Sequence, residues 1–151
     1  MQSQEVMVRF MLQVRANPDS EAGKMPGREI VAAMGKFNQE MMEAGVMLAG
    51  EGLHPSSKGA RVLYGGGQLR VVDGPFGDPR ELIAGFWIIQ TGSKEEAIDW
   101  AKRAPFQEGV VEIRQIFEAS DFPADILPPE EAAREQAWRD EQHRDSAPRR
   151  A

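Results

Sequence analysis

Between Val6 and Arg15 the chain alternates strictly. Val6, Val8, Phe10, Leu12 and Val14 share one parity, and Met7, Arg9, Met11, Gln13 and Arg15 the other. A period of two predicts a strand, and the mixed second face predicts partial cover on that side. Ala16 to Gly27 carries Asn17-Pro18-Asp19-Ser20 and Gly23, turn chemistry that predicts a loop. After Pro26 the period changes. Ile30, Met34, Phe37 and Met41 step by four, three and four, one apolar stripe of a helix. Gly45 is placed to end that helix with positive φ. Val46 to Gly50 then reads as a short buried strand.

Two alternating runs, 60–64 and 68–72, flank Gly65-Gly66-Gly67, which predicts a hairpin closed by Asp73. Leu82 to Thr91 is the most apolar run and predicts a strand covered on both faces. Ser93-Lys94-Glu95-Glu96 has the spacing of a capping box and opens a helix bearing Ala97, Ile98, Trp100 and Ala101, which stops before Pro105. Val110 to Phe117 completes the order as the last strand: β-α-β, hairpin, β-α-β. Residues 1–118 form the predicted domain. Residues 119–151 differ in kind: a linker stiffened by Pro123, Pro128 and Pro129, a peripheral helix over 130–144 with a thin apolar face of Ala133, Ala137 and Trp138, and a polar end expected to be disordered.

This pattern predicts an α+β fold with an antiparallel sheet and both core helices on one face, since two helices cannot cover both. The other face would carry part of Met7, Met11, Trp87 and Ile89, too apolar for water, and a twofold homodimer would bury it. Composition narrows the functions. The chain has 151 residues, 41% hydrophobic, enough for one domain with a core. The absence of cysteine removes disulfides, thiolate chemistry and Cys-based zinc sites, and fits a cytoplasmic protein. A net charge of −6 argues against nucleic-acid binding. The N-terminus lacks the pattern of a signal peptide, and no apolar run is long enough to span a bilayer.

Asp73-Gly74-Pro75-Phe76, with Gly50-Glu51-Gly52-Leu53 upstream and Gly85-Phe86-Trp87 downstream, resembles the DGPF branch of the YCII-related proteins. The resemblance covers roughly Val6 to Phe117. It implies a ferredoxin-like fold that forms a dimeric α+β barrel. It also implies kinship with small-molecule isomerases and a dehydrochlorinase, and for some members a link to extracytoplasmic-function sigma factors. The wider YCII group has a proposed His–Asp pair whose His would fall near Met34. This sequence has no His there, which departs from that mechanism.

Asp73 leads the candidates. Beside Phe76 and Phe86 a buried carboxylate would have a raised pKa and could move protons near neutrality; alternatively it only fastens its own Asp-Gly turn. Glu51 sits between two glycines at a strand end, as a proton-transfer partner to Asp73 or as a carboxylate that is solvated or paired with Arg61 or Arg70. Gly74, Pro75 and Phe76 would shape a ligand site, with His54 and Asn38 as polar contributors. His54 near Ser56 and Ser57 can be written into a Ser/His/Asp set, but no G-x-S-x-G elbow accompanies it, and an exposed loop histidine is the favoured explanation. No metal or cofactor motif is present: two distant histidines give no zinc spacing, nothing asks for magnesium at Asp73 and Asp78, and Gly65–Gly67 lacks the Lys of a phosphate loop. The methionines Met34, Met41, Met42 and Met47 read as core fillers. Two functions follow. One is a small-molecule enzyme or binder working by proton transfer. The other is a non-catalytic sensor or accessory factor that docks a regulatory protein through the helix around Trp138.

Overall fold

The computed structural model describes residues 6–146. Four strands form one antiparallel sheet: β1 (Val8–Arg15), β2 (Met47–Gly52), β5 (Ile83–Thr91) and β6 (Val111–Gln115), in the order β2-β5-β1-β6. Two further strands, β3 (Ala60–Gly65) and β4 (Gln68–Asp73), pair only with each other. Counting the sheet strands alone along the chain, the order is 2-3-1-4 with a helix in each crossover. That is the ferredoxin-like arrangement, and the β3–β4 hairpin is inserted between its second and third strands.

Helix α2 (Arg28–Glu43) and helix α3 (Lys94–Lys102) pack on one face of the sheet. The alternation in β1 dictates which face. Phe10 and Leu12 pair with Ile89 and Trp87, so these four side chains share a side. They close on Phe37 and Met41 of α2 and Ala97 of α3, and Leu12, Met41 and Ile89 are 0% exposed. Each buried Phe, Leu, Ile or Met side chain here contributes about 1.5–3 kcal/mol by leaving water. Met34 packs at the edge of this core, while Ile30, one turn earlier, is 40% exposed. The helix ends as expected at Gly45, φ +71°: Gly45 N–H donates to Met42 O and Val46 N–H to Met41 O, the Schellman closure.

Several expectations change. The loop expected over Ala16 to Gly27 contains a short helix, α1 (Pro18–Glu21), because Asn17 accepts from Ser20 N–H while Ser20 Oγ accepts from Asn17 N–H. The capping box at Ser93 is offset: Glu96 N–H donates to Ser93 Oγ, but the Glu96 carboxylate takes Gly92 N–H. Trp87 and Ile89 lie on the helix side, not on the second face. Register is the reason, since they oppose Leu12 and Phe10. The second face instead carries Met11, Phe86 and Ile88, with charged and polar residues around them.

One end of that second face is covered by helix α4 (Pro129–Ser146). Arg9 grips Glu118 through two nitrogens, at 2.6 and 3.1 Å. Arg139 of α4 donates to the same carboxylate at 3.1 Å and to Phe117 O at 3.0 Å. This partly buried triad, rather than an apolar stripe, seats the helix. Trp138 remains 58% exposed. Among the described residues, no helix is long and apolar enough to cross a membrane.

Elsewhere on this face Arg15 of β1 donates to Glu112 of β6. That hydrogen bond, together with the Arg15 charge, holds the Glu112 carboxyl below its usual value of 4.5, with Arg114 a smaller contributor. A carboxyl whose pKa is lowered by folding stabilises the fold in full above its unfolded value, and the contribution is lost as pH falls through the folded value. The melting temperature of the wild type is therefore expected to fall more steeply below pH 4.5 than that of Glu112→Gln. Both groups are about one-third exposed, so the difference will be small. Parallel calorimetric profiles would remove any contribution from the pair.

Candidate functional site

The turn at 73–76 follows from how the hairpin leaves and rejoins the sheet. β3 and β4 are joined by Gly66 and Gly67, both at positive φ (+55° and +74°), a two-residue turn that matches strand twist. At the root, Ala60 pairs with Asp73, and Gly74 N–H donates to Gly59 O at 3.0 Å. The Gly74–Pro75 peptide is cis. Gly74 is the tightest point: a Cβ there would lie 1.8 Å from Ser56 O. No other residue fits against that carbonyl.

Side chains from two other segments fasten the turn. Phe76 N–H donates to Ser56 Oγ at 3.2 Å, and the Ser56 hydroxyl in turn donates to the Glu21 carboxylate. Glu21 also accepts from Ser56 N–H at 2.9 Å. The Phe76 ring lies under the Arg61 guanidinium, 4.1 Å from centroid to Cζ, a cation–π contact. Helix α1, the short 3-10 turn at Ser56–Lys58 and the 73–76 turn are thus one hydrogen-bonded unit.

Asp73 stands outside this network. Among the described residues no hydrogen bond reaches its carboxylate, and the residue is exposed. The pairing of β3 with β4 sets its direction. Asp73 shares a face with Ala60, Val62, Val71, Tyr64 and Leu69, while Arg61, Leu63, Arg70 and Val72 occupy the other. The carboxylate therefore ends an apolar stripe. In the single chain that stripe is open to solvent, with Val62 47%, Val71 65%, Leu69 70% and Tyr64 81% exposed.

Glu51 is exposed at the end of β2, opposite Phe86 on the second face of the sheet. Arg61 is engaged with Phe76, and no ion pair joins it or Arg70 to Glu51 among the described residues. His54 is exposed in the loop after β2. Asn38 lies on the helix side, where its Oδ1 accepts from Trp87 Nε1 at 2.9 Å. Asn38 and Glu51 are therefore separated by the sheet. Asp78 caps the 3-10 turn at Pro79–Glu81 by accepting from Arg80 N–H, and its pairing with the Arg80 side chain lowers its pKa. Among the described residues no group of three or more His, Asp or Glu side chains is arranged to hold a metal ion.

A shallow cleft of about 300 Å³ lies elsewhere, between α4 and the far end of β1 and β5, lined by Arg9, Gln90, Glu118, Gln136, Arg139 and His143 among others. Its arginines are spent on Glu118, and it opens at the opposite end of β5 from the 73–76 turn. It holds the helix in place and shares no residue with the turn.

Glu21 and Ser56 were not among the residues singled out by sequence. Ser56 was visible only as a neighbour of His54. Glu21 had one signal, the Asn17-Pro18-Asp19-Ser20 pattern that closes into a helix and presents it. Alanine at Gly74 is expected to be incompatible with this packing. Gly74→Ala should lower the melting temperature and shift amide resonances at 56–58 and 73–77 while leaving those of β1 and α2 in place. A spectrum with the turn resonances unmoved would contradict the close approach at Ser56 O.

With this geometry established, comparison with known proteins places the chain. The model of the YCII-related domain matches residues 8–120, most of the chain. An uncharacterized protein of Rhizobium meliloti (strain 1021) is 28% identical over 79 residues, which span 52% of this chain and 64% of that protein. The chain thus covers less than two-thirds of that relative's length. The chain belongs to the YCII-related family, and α4 lies beyond the matched segment.

Proposed function

We propose that this YCII-related chain acts as a homodimeric small-molecule enzyme or binder in which Asp73 is the proton-transferring group. What supports the reading is the division of labour at the turn. Glu21, Ser56, Arg61 and the Gly59 carbonyl hold 73–76 in shape, so the Asp73 carboxylate is not needed for that purpose and is left with open lone pairs at the end of an apolar stripe. A carboxylate whose lone pairs are uncommitted can exchange a proton with a ligand placed beside it, as a general acid or base does.

In this reading Asp73 takes a proton from a carbon acid and returns it elsewhere, giving isomerisation, or gives it up to solvent after a leaving group departs, giving elimination. Glu51 accepts a hydrogen bond from the ligand or carries the second proton. Gly74 and Pro75 form the lip, Phe76 a wall held by Arg61, and His54 a polar group on the adjoining loop. Asn38 acts at one remove, fixing Trp87 behind Gly50 and so the strand that carries Glu51. In this reading the protein works in the cytoplasm. A metabolite screen by thermal shift tests the role of Asp73. Ligands that raise the wild-type melting temperature are expected to lose most of that effect with Asp73→Asn, which keeps the shape and removes the charge. Equal stabilisation of both proteins would take Asp73 out of the site.

A second reading rests on Trp138. An indole more than half exposed, on a helix outside the family segment, suits capture of a regulatory protein in the setting of sigma-factor control. Removing residues 128–151 is then expected to abolish binding to a sigma factor encoded beside the gene and to leave the circular-dichroism melt of the core in place. Undiminished binding would refute a docking role for the helix.

A further inference from the structure

We infer that the Arg61–Arg70 face of the β3–β4 hairpin is a binding site for a small organic acid, a carboxylate borne on a flat apolar body. The site lies on the hairpin face opposite Asp73 and does not depend on the role proposed for that residue. The distribution of charge is the first observation. Residues 53–72 carry Lys58, Arg61 and Arg70 and no Asp or Glu. They hold a formal +3 within a chain of −6, so the rest of the chain carries −9. A local field of the opposite sign to the whole molecule draws anions to that one place.

Strand pairing brings two of these cations together. Arg61 pairs with Val72 and Leu63 with Arg70, so the four side chains form a square on one face. The arginines occupy one diagonal, a spacing of about 7–8 Å, and Leu63 and Val72 the other. Like charges so placed repel, and no carboxylate stands between them. Among the described residues neither arginine makes an ion pair or a side-chain hydrogen bond. An anion between the two guanidiniums would satisfy both. Arg61 is already held for that task. Its Cζ lies 4.1 Å from the ring centroid of half-buried Phe76, whose backbone is tied through Ser56 to Glu21. The ring contact fixes the guanidinium without consuming its N–H donors, so less freedom is lost when a ligand binds. Leu63 and Val72, 39% and 37% exposed, supply an apolar floor beside the charges.

Size selects against polymeric anions. Arg61 belongs to the second pair from the hairpin root. Glu51 and Asp73 flank the basic segment there, and Glu21 is bonded to Ser56. Exposed charges repel across a screening length of about 8 Å. An extended polyanion seated on Arg61 is therefore opposed by these carboxylates, and a molecule of one ring much less so. The square has room for one acid group and one ring.

Heteronuclear NMR with benzoate as the probe tests the site. The Nε–H resonances of Arg61 and Arg70, and the backbone amides of 61–63 and 70–72, are expected to shift saturably at millimolar benzoate. Benzamide, the same shape without the charge, should leave them in place. Arg70→Gln removes no other contact of the chain and should weaken benzoate about tenfold, the loss of one charge-assisted hydrogen bond. Arg61→Gln should do the same with amide resonances outside the hairpin and the 73–76 turn unmoved. Lys36→Gln makes the same change of net charge on an exposed position of α2, and there binding should match the wild type. The site is overturned if benzoate gives no saturable shift, or if Lys36→Gln weakens it as much as Arg70→Gln. Inorganic phosphate that binds as tightly as benzoate would reduce the patch to an adventitious ion only and overturn it too. So would tighter binding of a single-stranded oligothymidylate, which would make a polyanion the occupant.

Discussion

The pairing of Leu12 with Trp87 and of Phe10 with Ile89 determines the rest of the structure. Because side chains alternate along every strand, this one register decides which half of each strand meets the helices. A shift by one residue would either turn Trp87 and Ile89 away from the helices or bring Arg9 and Gln13 beneath α2. With the register as it is, β5 and β2 place half-buried Phe86 and Ile88 and exposed Glu51 together on the second face. The core is thus built on one side of the sheet, and whatever chemistry the domain performs is left to the other side and to the hairpin root beside it.

At the root, the packing is tightest where backbone meets backbone. Gly74 lies against Ser56 O so closely that the 73–76 turn and the 56–58 turn cannot move independently. Ser56 serves as both donor and acceptor there, and Glu21 holds it through two bonds. A charged acceptor with two short partners is stronger than a neutral one, so a helix of four residues, marginal by itself, has a reason to be formed. The geometry separates shape from charge: Glu21 maintains the bend and Asp73 remains uncommitted.

Much of this was legible along the chain. The helix over 28–43 could be read because its stripe has the period that a buried face requires, and its end because Val46 begins a strand just past a glycine. The hairpin could be read from its glycines. Harder to read was α1, since four residues show no period and only the reciprocal Asn17–Ser20 bonds define them. The seat of α4 was also invisible. Its apolar face is thin, and it is held by Arg9, Glu118 and Arg139, residues that are far apart in sequence and ordinary in type.

The candidate site divides in the same way. The Asp-Gly-Pro-Phe word marks a turn by local chemistry alone, because glycine and proline restrict backbone wherever they stand, and alternation alone determines that β1 and β5 are strands. Which strand lies beside which is not a local property. The face that Trp87 occupies, the separation of Asn38 from Glu51 by the sheet, the contact of Gly74 with Ser56 O and the freedom of the Asp73 carboxylate all depend on segments brought together from across the chain. Those were decided by the tertiary structure, because register, packing distance and hydrogen-bond partners exist only once distant residues meet.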